Sequence, residues 1–130
     1  MKKLNRKGFT LVELLATLII LGMISLIVIP SVSGTLNASR QSSYKKQIKV
    51  LETAAEKWGV ENIGLLPQNN SGDTLVLDFN TLYTSGQITK YPIINPVTNE
   101  ELEGCILITY NNQYQQYEYH YTDDTNKCIN

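Results

Sequence analysis

The sequence predicts an α+β protein in which one long N-terminal helix is followed by a small antiparallel sheet. Three patterns in its 130 residues carry that prediction. Residues 9–29 form an apolar run, and beyond Pro30 apolar residues recur at helical spacing as far as Trp58. Gly59, Gly64 and Pro67 then punctuate the chain. Near the C-terminus, two short segments rich in aliphatic and tyrosine residues flank Asn111-Asn112-Gln113, as the arms of a hairpin would. Length and composition exclude several classes. The chain is too short for a large nucleotide-binding α/β enzyme, and 18% charged residues with a net charge of −1 do not describe a disordered or polycationic chain. One histidine and two cysteines leave no multi-histidine or four-cysteine zinc site. Neither a metal nor another cofactor is expected.

The averages conceal an uneven distribution. Residues 1–8 carry Lys2, Lys3, Arg6 and Lys7 with no acid, and 16 of the 21 residues from Phe9 to Ile29 are apolar. As a helix, that run spans about 31 Å, the thickness of a bilayer's hydrocarbon core. A basic head before a long apolar run orients the basic end toward the cytoplasm. A secretory signal would have a shorter apolar core and a clear small-residue cleavage site, for which Ser31 to Gly34 is a poor candidate. A plain membrane anchor accounts for the length but not for Glu13, a carboxylate four residues into the run, where an unpaired charge is costly.

After Pro30, Val32, Leu36, Tyr44, Ile48, Leu51, Ala55 and Trp58 mark one face of an amphipathic helix, giving about 50 helical residues in all. Gly22 and Pro30 interrupt it, although membrane helices tolerate both. Arg40, Lys45, Lys46 and Lys49 form a basic stretch that would suit nucleic acid, lipid headgroups, acidic neighbours or simply solvent. Residues 69–73 are a turn-rich break before a short strand at Leu75 to Leu77. Asp78 to Ile88 reads as a short helix capped by Asp78 or Asn80 and closed by Gly86. Tyr91 to Glu103, with two prolines and a turn at Thr98-Asn99-Glu100, reads as an irregular connection. The strands follow at Cys105 to Tyr110 and Tyr114 to Tyr121. On the second strand, Tyr117, Tyr119 and Tyr121 share one face, opposite Glu118 and His120.

The residues Gly8-Phe9-Thr10-Leu11-Val12-Glu13-Leu14-Leu15 resemble the prepilin signature of the type IV pilin and pseudopilin superfamily. The resemblance implies cleavage after Gly8 by a prepilin peptidase and methyltransferase, with N-methylation of Phe9. It divides the chain into a leader (1–8), a transmembrane and assembly helix (9–29) and an extracytoplasmic headgroup (30–130), with the helix packed against the sheet. It implies that Glu13 pairs with the Phe9 amine of a neighbouring subunit to set register. A pair within one chain is equally open, since residues 9 and 13 are one helical turn apart. It implies flexibility of the helix between Gly22 and Pro30, and a disulfide joining Cys105 to Cys128, where the alternative is two buried thiols.

These implications describe a structural subunit of a type IV pilus, a competence pilus or a type II secretion pseudopilus, not an enzyme. Its partners would be the peptidase, other subunits, an assembly-platform membrane protein and, for a competence pilus, DNA along the basic stretch. It would start in the cytoplasmic membrane with its N-terminus inside and end in a filament at the cell surface. The alternative is a non-polymerising, membrane-anchored module that binds DNA, sugar or protein. One histidine, His120, among many serine and aspartate residues is not a triad signal, the tyrosine face reads as packing, and Asp123-Asp124 reads as a polar turn rather than the calcium loop of major pseudopilins.

Overall fold

The structure is a computed structural model and describes residues 8, 10–68 and 72–129, with the side chains of 27–31 also left aside. The leader residues 1–7 and Phe9 lie outside the described residues. Helix α1 covers Leu11–Glu61, 51 residues, and runs without a break through Gly22 and Pro30. The chain forms two compact units, 1–39 and 40–130, with the boundary inside α1.

In the second unit, α1 is followed by a short 3₁₀ turn at Ile63–Leu65, strand β1 at Thr74–Leu77 and helix α2 at Phe79–Thr84. An irregular connection leads to β2 at Cys105–Asn111 and β3 at Gln116–Thr122, and a final 3₁₀ turn covers Thr125–Cys128. The sheet is antiparallel in the order β1-β2-β3. This is the α+β architecture that the sequence predicts.

Strand register explains which residues reach the core. Leu77 pairs with Ile106 and Leu75 with Ile108, while Tyr121 and Tyr119 pair with the same two isoleucines from the other side. Directly paired residues of an antiparallel sheet share a face, so these six side chains form one surface. Against it lie Leu51, Ala54, Ala55 and Trp58 of α1, all buried. Phe79 and Leu82 of α2, with Ile93 and Leu102 of the connection, close the same core.

Helix α2 begins where Asp78 accepts a hydrogen bond from the Thr81 amide at 2.7 Å. It ends at Gly86, whose φ of +79° suits glycine in a left-handed position. In the connection, Ile94 bridges to Glu101 and Asn99 takes the positive φ that the tight turn requires.

Several boundaries differ from the sequence reading: α2 covers only Phe79–Thr84 of the expected Asp78 to Ile88, and two others have a visible physical cause. Helix α1 continues through Gly59 to Glu61, because the glycine provides space for a packed ring rather than a stop. Strand β3 begins at Gln116 instead of Tyr114. The Asn111 side chain accepts from the amides of Gln113 and Tyr114, and Gln115 adopts a φ of +53°, so the turn occupies residues that the alternation had assigned to the strand.

Candidate assembly and processing site

Gly8 is exposed and non-helical, and open space surrounds the position where a side chain would stand. Helix α1 begins three residues later, at Leu11. The Thr10 carbonyl accepts the first helical bond, from the Leu14 amide at 3.1 Å. The Thr10 hydroxyl accepts from the Glu13 amide at 3.2 Å, and the Glu13 carboxylate accepts from the Thr10 amide at 3.0 Å and from its hydroxyl at 3.2 Å. This is a reciprocal capping box, in which threonine and a glutamate three residues on satisfy each other's exposed amides. Its Thr-x-x-Glu signal stands in the sequence, but the question of a charge partner for Glu13 hides it. Before any cleavage, Glu13 already has partners within its own chain, and they fix the helix start at Leu11.

Every large apolar side chain described from Leu11 to Leu26 is at least half exposed. Two hydroxyls in this stretch are turned inward. Thr17 donates to the Leu14 carbonyl at 2.8 Å, and Ser25 donates to the Leu21 carbonyl at 2.7 Å. Gly22 has no neighbour within van der Waals range of a hypothetical Cβ. Among the described residues, no helix is long and apolar enough to cross a membrane. The apolar run read from the sequence includes Phe9 and Ile27 to Ile29, which the side-chain description does not reach.

In the second unit, the tyrosine stripe cements the sheet to the helix. The Tyr119 hydroxyl and ring occupy the space over Gly59. Glu52 of α1 accepts from the Tyr121 amide at 3.1 Å, closing part of the free edge of β3. The Tyr121 hydroxyl donates to the Glu103 carbonyl at 2.7 Å, and the Tyr117 hydroxyl donates to the Pro67 carbonyl at 3.0 Å. Phe79 stacks on Tyr121, and Tyr110 meets Tyr117 edge-on. Burial raises the pKa of both Tyr119 and Tyr121. For Tyr119, the Glu56 carboxylate and Tyr117 add to the effect. For Tyr121, a side-chain hydrogen bond with Tyr44 and the acids Asp123 and Glu103 add to it. Charging either phenol in this setting is unfavourable, so both are held neutral.

Cys105 and Cys128 form the disulfide, which ties the start of β2 to the last 3₁₀ turn. Arg40, Lys45, Lys46 and Lys49 are all exposed. At about 100° per residue, Lys45, Lys46 and Lys49 fall on the side of α1 away from the core, while Arg40 falls about 180° from Lys49. The four charges therefore do not make one patch. His120 is exposed, 3.6 Å from Glu118. Asp124 accepts from the Asn126 amide at 3.1 Å, capping the final turn as the polar-turn reading requires. Among the described residues, no group of three or more histidine, cysteine or acidic side chains is placed to hold a metal ion.

Residues 3–29 match the family model described as the prokaryotic N-terminal methylation motif. The chain is 31% identical over 62 residues to type II secretion system core protein G of Aeromonas hydrophila, covering 48% of this chain and 43% of that protein. It is 26% identical over 62 residues to the protein of the same description from Klebsiella michiganensis, covering 44% of that relative. The matched region spans less than half the length of these curated relatives. No solved structure matches.

Proposed function

We propose, from the premise that the chain is a member of the type IV pilin and pseudopilin superfamily, that its processed form is a filament subunit of a type II secretion pseudopilus or a type IV or competence pilus. The observation that carries this reading is the helix start. The capping box at Thr10 and Glu13 starts the helix at Leu11 and leaves Gly8 outside it, three residues before a helix whose described apolar side chains are exposed all round. A peptidase needs an accessible, non-helical segment to cut, and a filament core needs apolar side chains on every side.

Cleavage after Gly8 would remove the four leader charges and create an α-amine at Phe9, which titrates near 7.7–8.0 and is largely cationic at neutral pH. Glu13 supplies the opposite charge within reach of that terminus, in its own chain or in a neighbour. The apolar helix would reside in the cytoplasmic membrane, basic end inward, until a platform protein delivers it to the growing filament. There the same side chains would pack against other subunits. A head-to-tail contact that does not close into a ring generates such a filament.

Intact-mass measurement tests the reading. A chain recovered from sheared filaments should lack residues 1–8 and carry one added methyl group. A bulky residue at Gly8 should leave the chain uncut and in the membrane. Recovery of uncut chain in filaments would overturn the proposal, and an intact Met1 with no filament would favour a membrane-anchored binding module.

A further inference from the structure

We propose that the face of α1 carrying Lys45, Lys46 and Lys49 docks on the acidic cleft of a second copy of this chain. The inference rests on the assembly reading above and names a contact between headgroups.

The cleft has a volume of about 540 Å³, and Tyr44 and Tyr121 line it together with Glu100, Glu101, Glu103 and Asp123. All four acids are exposed, and none is ion-paired with a described residue. Their field is felt inside the chain, where Asp123 and Glu103 help to keep the Tyr121 phenol neutral. Like charges around one cleft repel each other, and a cationic neighbour relieves that cost. A single metal ion does not answer the need. Among the described residues, no three acidic groups are placed to hold one. The cleft suits cations spread over a surface.

The same chain carries such a set. Lys45, Lys46 and Lys49 are exposed and likewise pair with no described residue. They stand about 100–160° round the helix from Tyr44, so the body of α1 separates them from the cleft of their own chain. Arg40, on the Tyr44 side, pairs with none of the four acids. Beyond Lys49, Glu52 and Glu56 mix the signs and end the basic face.

Position along the helix favours a second copy over another basic partner. Tyr44 and Lys49 lie about 7.5 Å apart along the axis of α1. Two copies standing side by side with parallel helices therefore bring cleft and lysines to one level. Complementary charge fixes such a register. Because the contact joins different surfaces, it repeats from copy to copy.

Zero-length cross-linking tests the contact in the unsubstituted chain. A carbodiimide activates a carboxylate, a lysine amine attacks its carbonyl carbon, the carboxylate oxygen leaves within a urea, and an amide bond remains. Filaments assembled by the cell's machinery should give a ladder beyond dimer. Peptide mass spectrometry should find its rungs joined from Lys45, Lys46 or Lys49 to an acid of the cleft. The same chain dispersed as monomer in detergent should give none of these joins. Filaments without them, or dispersed chain that contains them, would overturn this interface and leave the assembly reading standing. Absence of filaments from the unsubstituted chain would overturn both. Charge reversal provides a second readout. Lys45→Glu with Lys46→Glu should lower the sheared filament about tenfold or more, as should Glu100→Lys with Glu101→Lys, because like charges then face each other. All four substitutions in one chain should restore it. Normal assembly of either pair, or no restoration in a fourfold variant whose thermal midpoint is unchanged, rules the contact out. A rise in thermal midpoint with calcium that Glu100→Lys with Glu101→Lys abolishes would give the cleft to a metal ion instead, which also defeats the proposal.

Discussion

At Gly59, the hydroxyl and ring of Tyr119 stand where a side chain would begin. Alanine in place of a helical glycine ordinarily gains about 1 kcal/mol. Here the added methyl meets an aromatic ring inside a packed core, and overpacking costs about 1–3 kcal/mol. Gly59→Ala should therefore lower the urea midpoint, and the loss should shrink in a Tyr119→Phe background, because the hydroxyl is the atom nearest the new methyl. Independent, additive effects in that double-mutant cycle would contradict the contact. The sequence shows the glycine but not its neighbour, which is why a stop signal was the natural reading. The phenols make a second prediction. Tyr119 and Tyr121 have raised pKa values, so their contribution to stability is complete below about pH 10, where an unfolded tyrosine begins to ionise, and is lost as pH rises toward their folded values. Of eight tyrosines, these two should ionise last in an ultraviolet titration. A titration in which all eight ionise together near the ordinary value would refute their burial.

At the scale of elements, the helix ends separate structural from electrostatic roles. Glutamine serves at the third position of a capping box as well as glutamate does. Glu13→Gln should therefore keep the helix start at Leu11 while abolishing any charge pairing, and Glu13→Ala should lose both. Amide exchange in micelles reads the first property, and sheared-filament yield reads the second. Normal assembly of Glu13→Gln would show that capping, not charge, is what assembly requires. Helix α2 is too short to persist alone, and it depends on the Asp78 cap and on burial of Phe79 and Leu82. Asp78→Ala should cost about 1 kcal/mol in chemical denaturation. These local elements were readable because capping residues, glycines and alternation act over a few positions. Their limits at Glu61 and Gln116 were not, since a distant ring and an asparagine-centred turn decide them.

Over the whole molecule, the disulfide gives the largest expected single effect. Linking Cys105 to Cys128 closes a loop worth about 3.4 kcal/mol in the chain-entropy model, which is substantial for a small unit whose core rests on two helices and three strands. Replacing both cysteines by serine should lower the thermal midpoint by more than 10 °C, at roughly 4–8 °C per kcal/mol. An unchanged midpoint would mean that the bridge contributes nothing to the folded state. The α+β plan and the N-terminal motif were legible because each is written in contiguous residues. The seat of the tyrosine stripe on α1 was not, because Gly59 meets Tyr119 and Glu52 meets Tyr121 only after the sheet folds back on the helix, and nothing in their spacing announces it.

The inward-turned hydroxyls of Thr17 and Ser25 have a further consequence for a helix that changes surroundings. Each has its donor committed to a carbonyl of its own helix, so neither depends on whatever lies alongside. Moving from acyl chains to protein neighbours then breaks no hydrogen bond at these positions, and moving back breaks none either. The segment is portable. In the proposed assembly, extraction from lipid would exchange one apolar contact for another, leaving Glu13 and the amine created by cleavage as the groups whose electrostatics distinguish the two environments.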